Sequence, residues 1–175
     1  MTHYDNIYEV AADNYGLITA AQAKELGISD KEMSALAKRG RLVRRGHGVY
    51  RLAHHVPTPN DAYAEAAALV GPDAYLYGET VIAMLGLAPT NPARLFVATP
   101  VRVRKALPQH IVLVKANGEA TCYDGIPSQK VPDAIRACKR TIMPDRLIEA
   151  VSEARRQGFI TDSTKAELLK DLEIA

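Results

Sequence analysis

From Lys38 to Arg51 the chain carries six Lys or Arg side chains and His47, with no carboxylate among them. Cationic groups packed this closely, with no acids beside them, suit contact with a polyanion such as a nucleic-acid backbone. Lys31 and Ser34 precede Lys38 at intervals of three and four, which puts all three on one side of a helix. From there they could reach base edges in a groove. Two ligand-free accounts compete: a solvated surface strip, or compensation of a helix C-terminus by Lys38, Arg39 and Arg41 at about 0.3–1 kcal/mol each. The net charge of +2 conceals the pattern, because residues 116–175 set nine bases against ten acids.

The elements that must position these side chains can be read from periodicity. Tyr4, Ile7, Tyr8, Ala11 and Tyr15 recur at helical spacing and predict a first helix that Gly16 ends. Thr19 predicts an N-cap for the good helix formers up to Leu26, with Gly27 as the stop. Ser29 and Glu32 have the spacing of a reciprocal capping box, and Met33, Leu36 and Ala37 give the next helix its apolar stripe before Gly40. Asp30 and Glu32 sit awkwardly beside phosphate and are read as caps, with a cytosine contact as the alternative. Leu42–Arg45 and Val49–Leu52 then flank Gly46-His47-Gly48, as in a short hairpin. Helix, helix, helix, hairpin is the order of a winged helix-turn-helix, and Ala23, Gly27 and Ile28 fit its short turn. Ile7, Ala11, Leu26, Met33, Leu36 and Leu42 are its expected core.

Pro57-Thr58-Pro59-Asn60 reads as a stiff linker, which divides the chain into domains at 1–55 and 61–175. The second region predicts helices over 61–70 and 79–85, a short strand over 74–77, and strands over 94–99, 110–116 and 121–126. Helices over 132–139, 144–157 and 162–172 close it. The expected fold class is α+β: an N-terminal winged helix-turn-helix followed by a small mixed α/β domain ending in helices.

Composition excludes several classes. At 47% hydrophobic and 24% charged residues the chain is of globular type. No apolar run approaches the roughly 18 residues of a membrane span, and no basic-then-apolar leader follows Met1. A soluble cytoplasmic protein with no membrane partner is therefore expected. Cys122 and Cys138 alone make neither a zinc site nor a disulfide framework. His54-His55 have no acidic or thiol neighbours in sequence and read as linker surface, so no metal is expected. No phosphate-binding loop or dinucleotide fingerprint occurs, so no cofactor is expected. A nuclease would need clustered carboxylates with a nearby lysine; Asp124 instead reads as a turn residue before Gly125. No catalytic residue is assigned, and an enzyme is not expected.

The runs Y-G-L-I-T-A-A-Q-A-K-E-L-G-I-S (Tyr15–Ser29) and L-A-K-R-G-R-L-V-R-R-G-H-G-V-Y-R-L (Leu36–Leu52) resemble the N-terminal winged helix of the AbiEi antitoxins of bacterial type IV toxin–antitoxin systems. Arg41–Tyr50 matches the family's R-x-x-R-G-x-Y-type wing. Gly78–Leu87, Asn91–Pro100 and Asp124–Pro127 continue the likeness, whereas Ser128–Asp133 departs from the Thr-rich entry to a helix that the family often has. The resemblance implies a transcriptional autorepressor that binds inverted repeats in its own promoter, with two copies assembled on the DNA or as a free dimer. It also implies a nucleotidyltransferase-like toxin as functional partner, counteracted without a stable complex. The candidate DNA-binding residues are Thr19, Ser29, Lys31, Ser34, Lys38, Arg39, Arg41, Arg44, Arg45, His47 and Arg51. The alternatives are a generic winged-helix regulator and a protein-interaction module, in which Arg102, Arg104 and Lys105 would touch either an acidic protein or DNA unless they are only solvated loop charge.

Overall fold

The computed structural model describes residues 1–90 and 93–173. Asn91 and Pro92, at the head of the Asn91–Pro100 run, lie outside the described residues, as do Ile174 and Ala175. The chain is α+β, a winged helix-turn-helix followed by a mixed α/β region that ends in three helices. Two compact units form: Met1–Pro72 with Val103–Leu107, and Asp73–Arg102 with the chain from Pro108 onward.

In the first unit, α1 (His3–Ala12) starts on a Thr2–Asp5 capping box. A three-residue strand β1 (Leu17–Thr19) follows, then α2 (Ala20–Glu25) and α3 (Asp30–Lys38). The wing is β2 (Leu42–Gly46) and β3 (Val49–Leu52), and α4 (Asp61–Val70) ends the unit's first segment. The strand order is β1-β3-β2, antiparallel throughout. Partners across a ladder share a face, so Leu42 and Leu52, and Ile18 and Tyr50, turn to one side. There they join Ile7, Ala11, Ala23, Ile28 and Met33 in a closed core, with Leu26 and Leu36 packed on its margin. Burying a side chain such as Ile28 or Met33 contributes roughly 1.5–3 kcal/mol. Gly27 takes φ +76°, the left-handed conformation that lets α2 turn sharply into α3.

Two expectations fail locally. Tyr8 is 54% exposed, because α1 turns Ile7 and Ala11 into the core with Tyr4 and Val10 on its margin and leaves Tyr8 outside that face. Tyr15 is not helical: α1 ends at Ala12, and Tyr15 and Gly16 take positive φ to redirect the chain into β1. The Pro57–Pro59 stretch is exposed and joins β3 to α4 within the first unit.

The second unit holds β4 (Tyr75–Leu76), α5 (Glu79–Met84), β5 (Leu95–Thr99), β6 (Ile111–Lys115), β7 (Ala120–Tyr123) and β8 (Ile126–Gln129). The helices α6 (Val131–Ala137), α7 (Pro144–Arg156) and α8 (Asp162–Glu173) follow. Its sheet runs β6-β5-β4-β8-β7, with β5–β6 and β4–β8 parallel and the rest antiparallel. The strand expected over 121–126 is instead one arm of the β7–β8 hairpin, whose turn is Asp124-Gly125 with both φ angles positive. Leu76, Val81, Ile82, Val97, Ile126, Ile135, Leu147, Val151 and Leu168 fill the core. Among the described residues no helix is long and apolar enough to cross a membrane.

Candidate nucleic-acid interface

Helix α3 is fixed at its start by a capping box. The Ser29 hydroxyl accepts from the Glu32 N–H at 3.2 Å, and the Ser29 N–H donates to Glu32 Oε2 at 2.9 Å. That backbone bond leads the effects holding the Glu32 carboxyl below its usual range, and His3 beside it adds to them. Glu32 is thus occupied as a cap. Asp30 is not a cap but pairs with Lys24 at 3.6 Å. Met33 anchors the inner face, fully buried. Opposite it, Lys31, Ser34 and Lys38 are exposed along one stripe, with Arg39 exposed at the C-cap. Among the described residues no hydrogen bond or ion pair holds any of these four side chains.

The other expected contacts divide by what already engages them. The Thr19 hydroxyl accepts from the Gln22 N–H at 3.2 Å and bonds Gln22 Oε1 at 3.2 Å, so its work is to cap α2. Arg41 lies with its guanidinium 4.8 Å from the Tyr4 ring centroid, a cation–π contact worth about 0.5–1 kcal/mol at an exposed site. Arg44 is exposed on the wing and, among the described residues, bonds only the Gly46 carbonyl, at 3.4 Å. His47 is exposed at the wing tip.

Arg45 and Arg51 face elsewhere. The register pairs Arg44 with Tyr50 but Gly46 with Val49, so Arg45 is the extra residue of a bulge. Val43 and Arg51 are cross-strand partners on the face opposite Tyr50, and Arg45 turns to that same side. Helix α4 meets it there. Glu65 Oε1 accepts from Arg45 Nε at 3.0 Å, and Glu65 Oε2 from Arg51 Nη1 at 2.7 Å. Arg51, whose side chain is 14% exposed, also donates to the carbonyls of Tyr15 at 3.3 Å and Asp61 at 3.4 Å. The helix approaches so closely that a Cβ on Gly46 would stand 2.3 Å from Leu69 Cδ2.

His55 is not linker surface. Its Nε2 lies 3.0 and 3.1 Å from the two carboxylate oxygens of Asp61, and its ring packs over Gly16. Burial works to raise the Asp61 carboxyl, but bonds from Thr58 and His55 outweigh it and hold it below the usual range. Sequence reasoning missed Glu65 altogether. The available signal was the spacing of Asp61 and Glu65, one turn apart and acidic on an otherwise alanine-rich helix, just after a run of unneutralised bases. Among the described residues no three His, Cys, Asp or Glu side chains converge as a metal site would require.

Residues 5–53 match the family described as "Transcriptional regulator, AbiEi antitoxin". That span takes in α1 from Asp5, the helix-turn-helix and the whole wing, and stops short of α4. No curated protein matches the chain. Among solved structures, the RV2827C protein from Mycobacterium tuberculosis is 14% identical, covering 98% of this chain and 82% of that one with a TM-score of 0.36. Over its winged helix-turn-helix, residues 5–53, the chain is similar to the AbiEi antitoxin family of transcriptional regulators.

Proposed function

We propose that the chain represses its own promoter by binding inverted repeats as two copies, and that it counteracts a nucleotidyltransferase-like toxin without a stable complex. Helix α3 lies in the major groove with Lys31, Ser34 and Lys38 toward base edges and flanking phosphates. Arg44 and His47 on the wing meet the adjacent backbone or minor groove. Arg39 lies within reach of phosphate at the C-terminal end of α3. At its start the Ser29 hydroxyl accepts from the Glu32 N–H, and its O–H, unlike that of Thr19, which bonds Gln22 Oε1, can reach phosphate. Thr19, Arg41, Arg45 and Arg51 stand outside this set, because capping, the Tyr4 ring and Glu65 engage them.

One observation carries the reading: Lys31, Lys38, Arg39, Arg44 and His47 have no carboxylate partner among the described residues, and they lie on elements that a winged helix-turn-helix presents to DNA. The DNA-reading elements fall within residues 1–55. We assign antitoxicity to the region from Asp61 onward, where the family resemblance is weaker.

The test uses the full chain. Lys31→Ala with Arg44→Ala abolishes promoter protection in a footprint and flattens the salt dependence of binding by about 0.9 for each phosphate that is no longer neutralised. Co-expressed with the neighbouring toxin from an unrelated promoter, the same folded variant still restores growth. Retained promoter protection overturns the DNA-binding model. Loss of rescue overturns the division of duties.

A further inference from the structure

We propose that Glu65, on α4 and beyond the winged helix-turn-helix, sets the strength of DNA binding by withholding Arg45 from phosphate; the inference rests on the DNA-binding reading above. Both oxygens of the Glu65 carboxylate are occupied, one by each arginine. The two partners are held unequally. Arg51 is nearly enclosed and has two backbone carbonyls besides Glu65. Arg45 is 43% exposed and engages Glu65 through Nε alone, so its terminal nitrogens have no partner among the described residues.

Backbone geometry makes Arg45 the movable member. It sits in the bulge, unpaired across the ladder, between Arg44 on the Tyr50 side and Gly46 against Leu69. A guanidinium there can swing toward the wing's open side only if its counter-charge on α4 lets go. Glu65 also cancels one of the two positive charges, so the wing base presents one net charge where the sequence shows two. Phosphate and Glu65 therefore compete for the same group, and DNA affinity and the docking of α4 oppose each other by linkage.

The experiment measures binding of the full chain, by fluorescence anisotropy over a salt series, to a duplex of its own promoter region and to a random duplex. Glu65→Gln keeps an acceptor for Arg51 while removing the charge. It is expected to tighten binding to both duplexes at low salt and to steepen the slope of log affinity against log salt by about 0.9, as one more phosphate is neutralised. The advantage of the variant then shrinks about eightfold for each tenfold rise in salt. Adding Arg45→Gln to Glu65→Gln returns the slope to the wild-type value. In the wild-type chain the Arg45 Nε–Hε resonance holds its position when DNA is added, whereas that of Arg44 shifts. An unchanged or flatter slope in folded Glu65→Gln overturns the proposal, as does movement of the wild-type Arg45 resonance on DNA binding. Should Glu65→Gln fail to fold, that resonance decides alone. No binding by either protein at low salt overturns the DNA-binding reading and this inference with it; wild-type binding with no effect of Glu65→Gln overturns only the latter.

Discussion

Helices α3 and α7 finish alike and are held differently. Each closes on two bases, Lys38 and Arg39 in one, Arg155 and Arg156 in the other. Both pairs complement a helix C-terminus, so the macrodipole does not distinguish them. Their neighbours do. Arg155 bonds Asp162 through two nitrogens, and Arg156 bonds both oxygens of Glu153. Lys38 and Arg39 have no such partner among the described residues. A helix end that exists only to sit in solvent can take an internal counter-ion at little cost. One kept open has its charge available to an outside anion. The starts differ as well: α3 begins on the Ser29–Glu32 box, whereas α7 begins with Pro144 after Met143, which makes no side-chain cap.

The contrast breaks most visibly in binding. Replacing Lys31, Lys38 and Arg44 together by Ala should flatten the salt slope by up to about 2.7, at about 0.9 for each phosphate they neutralise. Arg155→Ala with Arg156→Ala should leave it where it was. Equal losses from both sets in anisotropy titrations would mean that general positive charge, and not the open face of α3, attracts DNA.

A smaller effect concerns sequence reading. Lys31→Ala and Ser34→Ala should each cost about 1–3 kcal/mol at particular base pairs, seen as weaker discrimination between promoter and random duplex in competition. Undiminished discrimination would reduce the stripe to phosphate binding.

The two helix starts separate next. Ser29→Ala should cost about 1 kcal/mol of stability, the usual loss for an N-cap hydroxyl. Met143→Ala, at an exposed position, should stay within about 0.5 kcal/mol. Urea denaturation of both variants gives the comparison directly, and a larger loss at Met143 would reverse it.

The smallest effect lies in acid. Hydrogen bonds and charge from Arg155 lower the Asp162 carboxyl, and those from Arg156, with Gln157, lower Glu153 to about 2. Groups depressed in the folded chain support it fully above their ordinary values of 3.8 and 4.5, and lose that support as pH falls through the folded ones. Carboxyl NMR titration should therefore show Asp162 protonating below 3.8 and Glu153 only near 2. Ordinary titration of both would mean that the α7 arginines are as free in solution as Lys38.

Local chemistry makes much of this fold readable in advance. The span of α4 matches its expected bounds of 61–70, and the Ser29–Glu32 box marks the start of α3, because both signals are complete within a few residues. Strand β1 escapes a reading by periodicity because three residues show no alternation, and they extend only by pairing with β3 some thirty residues on. Along the β7–β8 hairpin the sequence reads as one strand, even though Asp124-Gly125 carries the signal of its turn. Pro127 argues against a second strand there, since proline cannot donate to a ladder, yet β8 lies inside the sheet between β4 and β7. The stripe on α3 follows from helical spacing. The diversion of Arg45 and Arg51 does not, because it depends on a bulge and on a carboxylate beyond the two prolines.

Gly27 is exposed and holds φ +76°, and a Cβ built on it would meet no atom within 4 Å. Handedness alone, not room, reserves that position for glycine. In a chain made by chemical ligation, a D-alanine there would fit the left-handed angle that L-residues resist. It would also narrow the unfolded chain's choices, a gain of about 0.4–1 kcal/mol where the native angles suit the new residue. The bend between α2 and α3 is thus a place where a mirror-image amino acid could stiffen the junction of the two helices.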